Sequence, residues 1–594
     1  AVLAQASLPR QNRTSLLRLL LNHRLGATLS RQTPGFSEMV PGRQLLLLLA
    51  AAGLAPAASE AGSELLQGLR TALSEREVKA IQSGADALRE VLRPIVASMP
   101  RNDHGKMTSP VVRYVLHRVF MQKGWSVRGL EPVGESWSQG SPAEMLGEAM
   151  PGPVVELFDA RLSTEGLDLA EVAFLAATFK VVVRAEHVQR LQSAFKVHSL
   201  QRGASLDEES ARRLLDTYLT SYVLGRNLSG LSEWEVHGEE TRAAQYGSWK
   251  QVQQLAWDTK QSLVGNGLVS FSSLKRVVEE VGERFGLSEN SECQLRKQDL
   301  IAIEHRGSGR VRLSEFYKAN LHEGKWHFGE STGYLRQLGA LDESNPSDLQ
   351  VIIANYVNSK SNCIDPSKSY SVCCLNECDE LLGQLESTLA SPSATPSEIA
   401  QLVAAMPSAT VPANRTLPAS LLRRLQEVTE GNGGRVPIHG RLFAQWMHHA
   451  YPRECPFPHI SGTTSPLRVE DWASEPGNEV VAKHEEMQQH IEAARPQPRH
   501  HSSSEEDEDG ECVPWMDDEE LLAPIAHTLA ALPEKTDAGS SWVRIALLAA
   551  GALALLAAVG SGTLGLRLAP ALESEASFGL RREKLPDRPL VYHV

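Results

Sequence analysis

Residues 448–460, HHAYPRECPFPHI, gather His448, His449, Cys455 and His459 into one short stretch. Imidazole nitrogen and thiolate sulfur are the ligands that zinc prefers, so this set is a candidate metal or nucleophile site. Its spacing matches no closed zinc finger, and Cys455 reads first as half of a disulfide. No other catalytic pattern is present in the chain: there is no G-x-S-x-G elbow, no H-E-x-x-H and no P-loop.

A second candidate rests on a loop grammar that recurs through the chain. A glycine is followed two positions on by an apolar residue and then by a new helix, at Gly105-Lys106-Met107, Gly267-Leu268-Val269, Gly309-Arg310-Val311 and Gly434-Arg435-Val436. These loops resemble the EF-hand, in which a glycine at loop position 6 makes the sharp turn. With each glycine at position 6, position 1 is Pro100, Ser262, Glu304 or Thr429, and position 12 is Val111, Ser273, Glu315 or Gly440. Only the third loop has carboxylates at both ends, Glu304 and Glu315, with Ser308 between them. Arg306, Arg310 and Arg312 add positive charge where a divalent cation needs anionic oxygens. The loops therefore read as degenerate helix-loop-helix packing units, with calcium at Glu304, Ser308 and Glu315 as the alternative. No other cofactor is expected.

Apolar spacing predicts helices over 87–98, 110–124, 167–183, 208–224 and 274–285, with Ser109 as N-cap before Pro110. Strand-like alternation is scarce, so the expected fold is mainly α. A net charge of −13 argues against nucleic acid as a partner, because phosphate binding requires a basic face.

The chain carries address signals. Residues 1–38 contain five arginines and no acid before Glu38, and Met39 then opens MVPGRQLLLLLAAAGLAPAASEAG. Arg43, the leucine run and Ala55-Pro56-Ala57 are the three parts of a secretory signal, so 1–38 reads as upstream sequence and 39–57 as the signal. Ile545–Leu566 is an uncharged apolar run bracketed by Arg544 and Arg567, long enough for a bilayer core of roughly 30 Å. Basic residues crowd 567–594, as expected for a cytoplasmic tail. The expected topology is a type I single-pass membrane protein of the secretory pathway or cell surface. Ala550, Ala554, Ala558 and Gly562 form a small-residue stripe through which two spans can associate into a homodimer.

Between signal and span the expected units are a helical part at 62–240, an EF-hand-like pair at 241–330, a cysteine-bearing helical domain at 331–475 and an acidic disordered stalk at 476–541. Cys293, Cys363, Cys373, Cys374, Cys378 and Cys455 are disulfide candidates in an oxidising lumen, with fifteen pairings open and Cys512 left over. Asn227 and Asn414 begin N-glycosylation sequons.

Several segments, among them NYVNSKSNCI, YSVCCLNECDELLGQLE and GGRVPIHGRLFAQWMHHAYPRECPFPHISGTT, resemble an uncharacterised family of secreted or membrane-anchored proteins of single-celled eukaryotes. That resemblance implies a cysteine-bearing ectodomain and carries over no catalytic residue. The leading expectation is an ectodomain that binds a protein partner without catalysis. Its alternatives are a membrane-tethered metal-dependent enzyme at 448–459 and a calcium-responsive module at 304–315.

Overall fold

Helices dominate the residues that the computed structural model describes, which are 57–131, 140–325, 327–494 and 515–522. The mainly α fold is thus the observed one, and each helix expected from apolar spacing coincides with an observed helix or lies largely within one. α1 (Ala57–Ala72) leads into α2 (Glu75–Ala97), which starts at a capping box. Ser74 Oγ accepts from the Glu77 N–H while the Glu77 carboxylate accepts from the Ser74 N–H at 2.9 Å. α3 (Ser109–Met121) has Thr108 as its N-cap, a correction to Ser109, whose hydroxyl instead donates to Gly140 O at 3.4 Å. β1 (Trp125–Val127) follows it.

The loops meet in pairs. The loop between α2 and α3 touches the loop between α4 (Gly152–Thr164) and α5 (Leu169–Val197) at Met107 and Leu167, which exchange N–H···O bonds of 2.9 and 3.0 Å. The loop from α5 to α6 (Glu208–Val223) meets its counterpart through Leu206 and Val269, with bonds of 2.9 and 2.8 Å. After α7 (Glu233–Ala243), that counterpart joins α8 (Trp249–Val264) to α9 (Phe271–Ala302).

Further along, β2 (Arg310–Arg312) precedes α10 (Leu313–Glu323), and α11 (Thr332–Gln337) leads through β3 (Leu341–Asp342) and β4 (Gln350–Ile352) into α12 (Ile353–Val357). β4 is central and antiparallel to both β2 and β3, with Val311 opposite Val351. β5 (Tyr370–Val372) returns to pair antiparallel with β1. Last, α13 (Glu377–Leu389) and α14 (Pro396–Ala405) flank β6 (Ser393–Ala394), while α15 (Ala419–Glu427) and α16 (Arg441–Ala450) flank β7 (Val436–Pro437). There Ala394 lies opposite Val436.

Among the described residues this makes four pairs of helix-loop-helix units, and all eight bridging residues are at most 3% exposed. The expected unit at 241–330 is not one of them, because loops 265–269 and 307–311 each pair elsewhere. The reason is α9, a single helix of 32 residues. At 1.5 Å per residue it holds those two loops about 48 Å apart.

Three cores result. The first joins α1 to the first half of α9 and takes in Tyr370 and Val372 of β5. The second surrounds Phe316 and Tyr356 and includes Cys293 and Leu300 from the far half of α9. The third contains Leu385, Val403, Trp446 and Tyr451. Among the described residues the disulfides are Cys293–Cys374, Cys363–Cys373 and Cys378–Cys455, so all six expected cysteines are paired. Asn227 and Asn414 are exposed.

The expected stalk is corrected in part. After α17 (Val469–Ala473), residues 484–493 form α18 (His484–Ala493), whose Met487 and Ile491 are buried in the second core beside Ala482. Residues 515–522 bridge two cores, with Trp515 packed against the third and Leu522 against the first. In both places apolar residues spaced among acids outweigh the average charge of the region. No helix among the described residues is long and apolar enough to cross a membrane. The expected upstream segment, the signal up to its last residue Ala57, the span with its Ala550, Ala554, Ala558 and Gly562 stripe, the tail and Cys512 lie outside the described residues.

Candidate functional site

The fold brings the two sequence candidates, loop 304–315 and segment 448–459, against each other. Loop 304–315 emerges from α9 and turns at Gly309, where φ is +74°. A Cβ there would collide with the carbonyl oxygen of Pro452, so glycine is required both for the turn and for the approach. Glu304, at the head of the loop, accepts from Gly309 N–H at 2.5 Å and is clasped by the Arg453 guanidinium. Nε lies 2.8 Å and Nη2 2.6 Å from Glu304 Oε2, with Glu304 only 4% exposed. The Glu304 carboxylate holds the Arg453 guanidinium more basic than usual.

The other two expected loop ligands go elsewhere. Ser308 Oγ donates to His305 O at 2.7 Å, and Glu315 receives Lys318 Nζ at 2.6 Å. Arg310 reaches across the sheet to Asp342, 2.6 Å away. Glu304, Ser308 and Glu315 thus each take a partner within the protein, and the two carboxylates are paired with cations of the chain itself.

The histidine set is corrected in the same way. Cys455 is bonded to Cys378 and offers no thiolate. His448 is fully buried, and its Nδ1 donates to Cys455 O at 2.7 Å, which fixes the tautomer and leaves Nε2 bare. Burial pushes its pKa down to about 3, so it stays neutral. His459 Nε2 donates to Gly339 O at 2.7 Å. His448 and His449 pack edge-to-face, with ring centroids 5.2 Å apart, and Phe457 packs against both. Among the described residues, no three His, Cys, Asp or Glu side chains come together as a metal would need.

The junction is completed by Asn355 of α12. Its side chain accepts from Phe457 N–H at 2.7 Å and donates to Phe457 O at 2.9 Å, treating the 455–459 segment as a neighbouring strand. The result is a seam between the second and third cores, built from one charge pair and one amide clasp, with the Cys378–Cys455 disulfide bracing the third-core side.

No protein-family model, curated protein or solved structure matches the chain.

A second interior charge cluster was not anticipated. Arg118 of α3 and Glu386 of α13 are bonded and at most 2% exposed, and His439 Nε2 sits 2.9 Å from the same Glu386 oxygen. Arg118 also donates to Asp379 O at 3.0 Å. Their positions are far apart in sequence, and they meet because α13 packs on α2, which in turn packs on α3. Arg453 and Asn355 likewise act on partners far away in sequence, Glu304 and Phe457.

Proposed function

We propose that this chain is a type I single-pass membrane protein whose helical, disulfide-bonded ectodomain binds another protein and has no catalytic role. The signal at 39–57, the span at 545–566 and the basic tail support the topology, and the three disulfides fit an oxidising compartment. The paired helix-loop-helix units are degenerate EF-hand pairs that keep the loop-to-loop bridge and have given up the ion. The observation that carries this reading is Arg453 on Glu304, a guanidinium in the place where a calcium loop gathers its first carboxylate.

Topology is tested by expressing the full chain in a secretory host. Endoglycosidase should shift its mass by two glycans, lost singly in Asn227→Gln and Asn414→Gln, and surface labelling should reach the ectodomain and not the tail. An unglycosylated, protease-accessible chain overturns the reading.

A further inference from the structure

Residues 515–522, WMDDEELL, carry four consecutive acids and lie extended across the start of α16. Their contacts are those of a bound peptide. Arg441 N–H donates to Glu520 O at 3.0 Å, and Leu521 bridges antiparallel to Gly440. The Arg441 guanidinium, 5% exposed, gives Nε to Asp518 O at 2.7 Å and Nη2 to Met516 O at 3.0 Å. Glu519 accepts from Leu442 N–H at 3.0 Å, and Glu520 from Ser461 N–H at 3.1 Å. Trp515 is set between the His449 ring, centroids 6.1 Å apart, and the Arg424 guanidinium, 5.1 Å from the ring centre.

Two features mark a receptor groove. The N-cap of α16 is Gly440, which has no side chain to satisfy the first turn, and Glu519 of the strap supplies the missing carboxylate. An added Cβ at Gly440 would stand 2.9 Å from Glu519 Oε1, so the gap matches the guest. The polar contacts divide evenly between the backbone of the strap and the Glu519 and Glu520 carboxylates, and with one aromatic these carboxylates give selectivity, as in strand-like peptide recognition.

We propose that this groove is a binding site for an acidic linear peptide, an aromatic residue followed by consecutive carboxylates and leucine, and that residues 515–522 are its resident ligand. A partner with the same chemistry displaces the strap. The proposal deepens the interaction reading above by naming the surface and the partner's chemistry. A ligand on the same chain enjoys an effective concentration on the order of millimolar, so the closed form resists weak competitors.

The test uses the full chain in detergent and a fluorescent peptide of residues 513–523, with binding read by anisotropy. Trp515→Ala combined with Glu519→Gln loosens the strap, and this variant should bind the peptide at least tenfold more tightly than the unaltered chain. Adding Gly440→Val should abolish that binding. The Gly440 backbone, at φ −94° and ψ 155°, accepts a β-branched residue without strain, so circular dichroism and the disulfide map should stay unchanged. Equal affinity in the first two proteins, binding that survives Gly440→Val, or equal binding of a scrambled peptide overturns the proposal. The glycosylation and surface-labelling results do not depend on this binding, so the two readings fail separately.

Discussion

Arg453 holds Glu304 with a charge-assisted hydrogen bond of 2.6 Å, across 149 positions of sequence. A guanidinium cannot be chelated, diluted or exchanged, and its planar fork suits a carboxylate that is also bonded to the loop backbone. The pair therefore fixes the head of the loop through the protein's own groups, and it ties the second core to the third.

Thermal unfolding of the ectodomain, residues 58–541, should accordingly be the same in excess calcium and in EDTA. A bound ion at a hundredfold excess over Kd would add about 2.7 kcal/mol, several degrees in midpoint, so the measurement discriminates well. A calcium-dependent rise would mean that some loop is a working ion site.

Removing the guanidinium should be costly. Arg453→Ala leaves Glu304 almost buried and unpaired, and part of the arginine is solvent-screened, so the expected loss is about 2–3 kcal/mol. A cycle with Glu304→Gln should recover most of that loss, because the amide carries no charge to strand. Simple additivity of the two changes would argue that the pair is not coupled.

Arg118 and Glu386 join the first core to the third in the same fashion, but deeper. Glu386→Ala should cost about 3–5 kcal/mol and let α13 to α16 exchange amide hydrogens ahead of the first core. Unchanged protection across α13 would show that the clamp is not what couples the cores.

The bond between Cys378 and Cys455 spans 77 positions. Closing a loop of that size is worth about 4.5 kcal/mol in the chain-entropy treatment. Replacing both cysteines by serine should lower the stability of the third core by that order, read by denaturant titration. Non-reducing peptide mapping should return the three pairings described above.

Glu330 gives the chain a pH dependence near neutrality. Burial of its carboxyl raises its pKa to about 7. Tyr356 Oη contacts both His327 O and Glu330 Oε1, and its single proton serves only one, so a protonated Glu330 completes the pair. The folded state then holds a proton that the unfolded chain releases near pH 4.5. This contribution is present in full below about pH 4.5 and is lost as pH rises through about 7, amounting to roughly 3 kcal/mol. Glu330→Gln should flatten that part of the stability profile and raise the melting midpoint at pH 8; an unchanged slope would show that Glu330 titrates normally.

Local signals were legible where local physics decides. Apolar spacing marks the helices, and the glycine loops at Met107, Val269, Val311 and Val436 mark helix junctions. Their four partners were missed because Leu167, Leu206, Val351 and Ala394 have no glycine two positions earlier. Three of them did carry another mark, an apolar residue directly before an N-cap at Asp168, Asp207 and Thr395. The acidic run at 515–522 was read by its charge, and its docking depends on Arg441, Gly440 and Ser461, which no window around it contains.

The sequence by itself determined the helical class, the loop punctuation and the six cysteines that would pair, because these follow from side-chain periodicity, backbone preference and residue count. Tertiary structure decided which loops meet, which cysteines bond, and that Glu304 and Cys455 of the two candidate sites are taken by Arg453 and Cys378. Those outcomes depend on distances between residues far apart in the chain. A continuous α9 sets those distances, separating two loops that look adjacent in sequence and delivering Glu304 to Arg453.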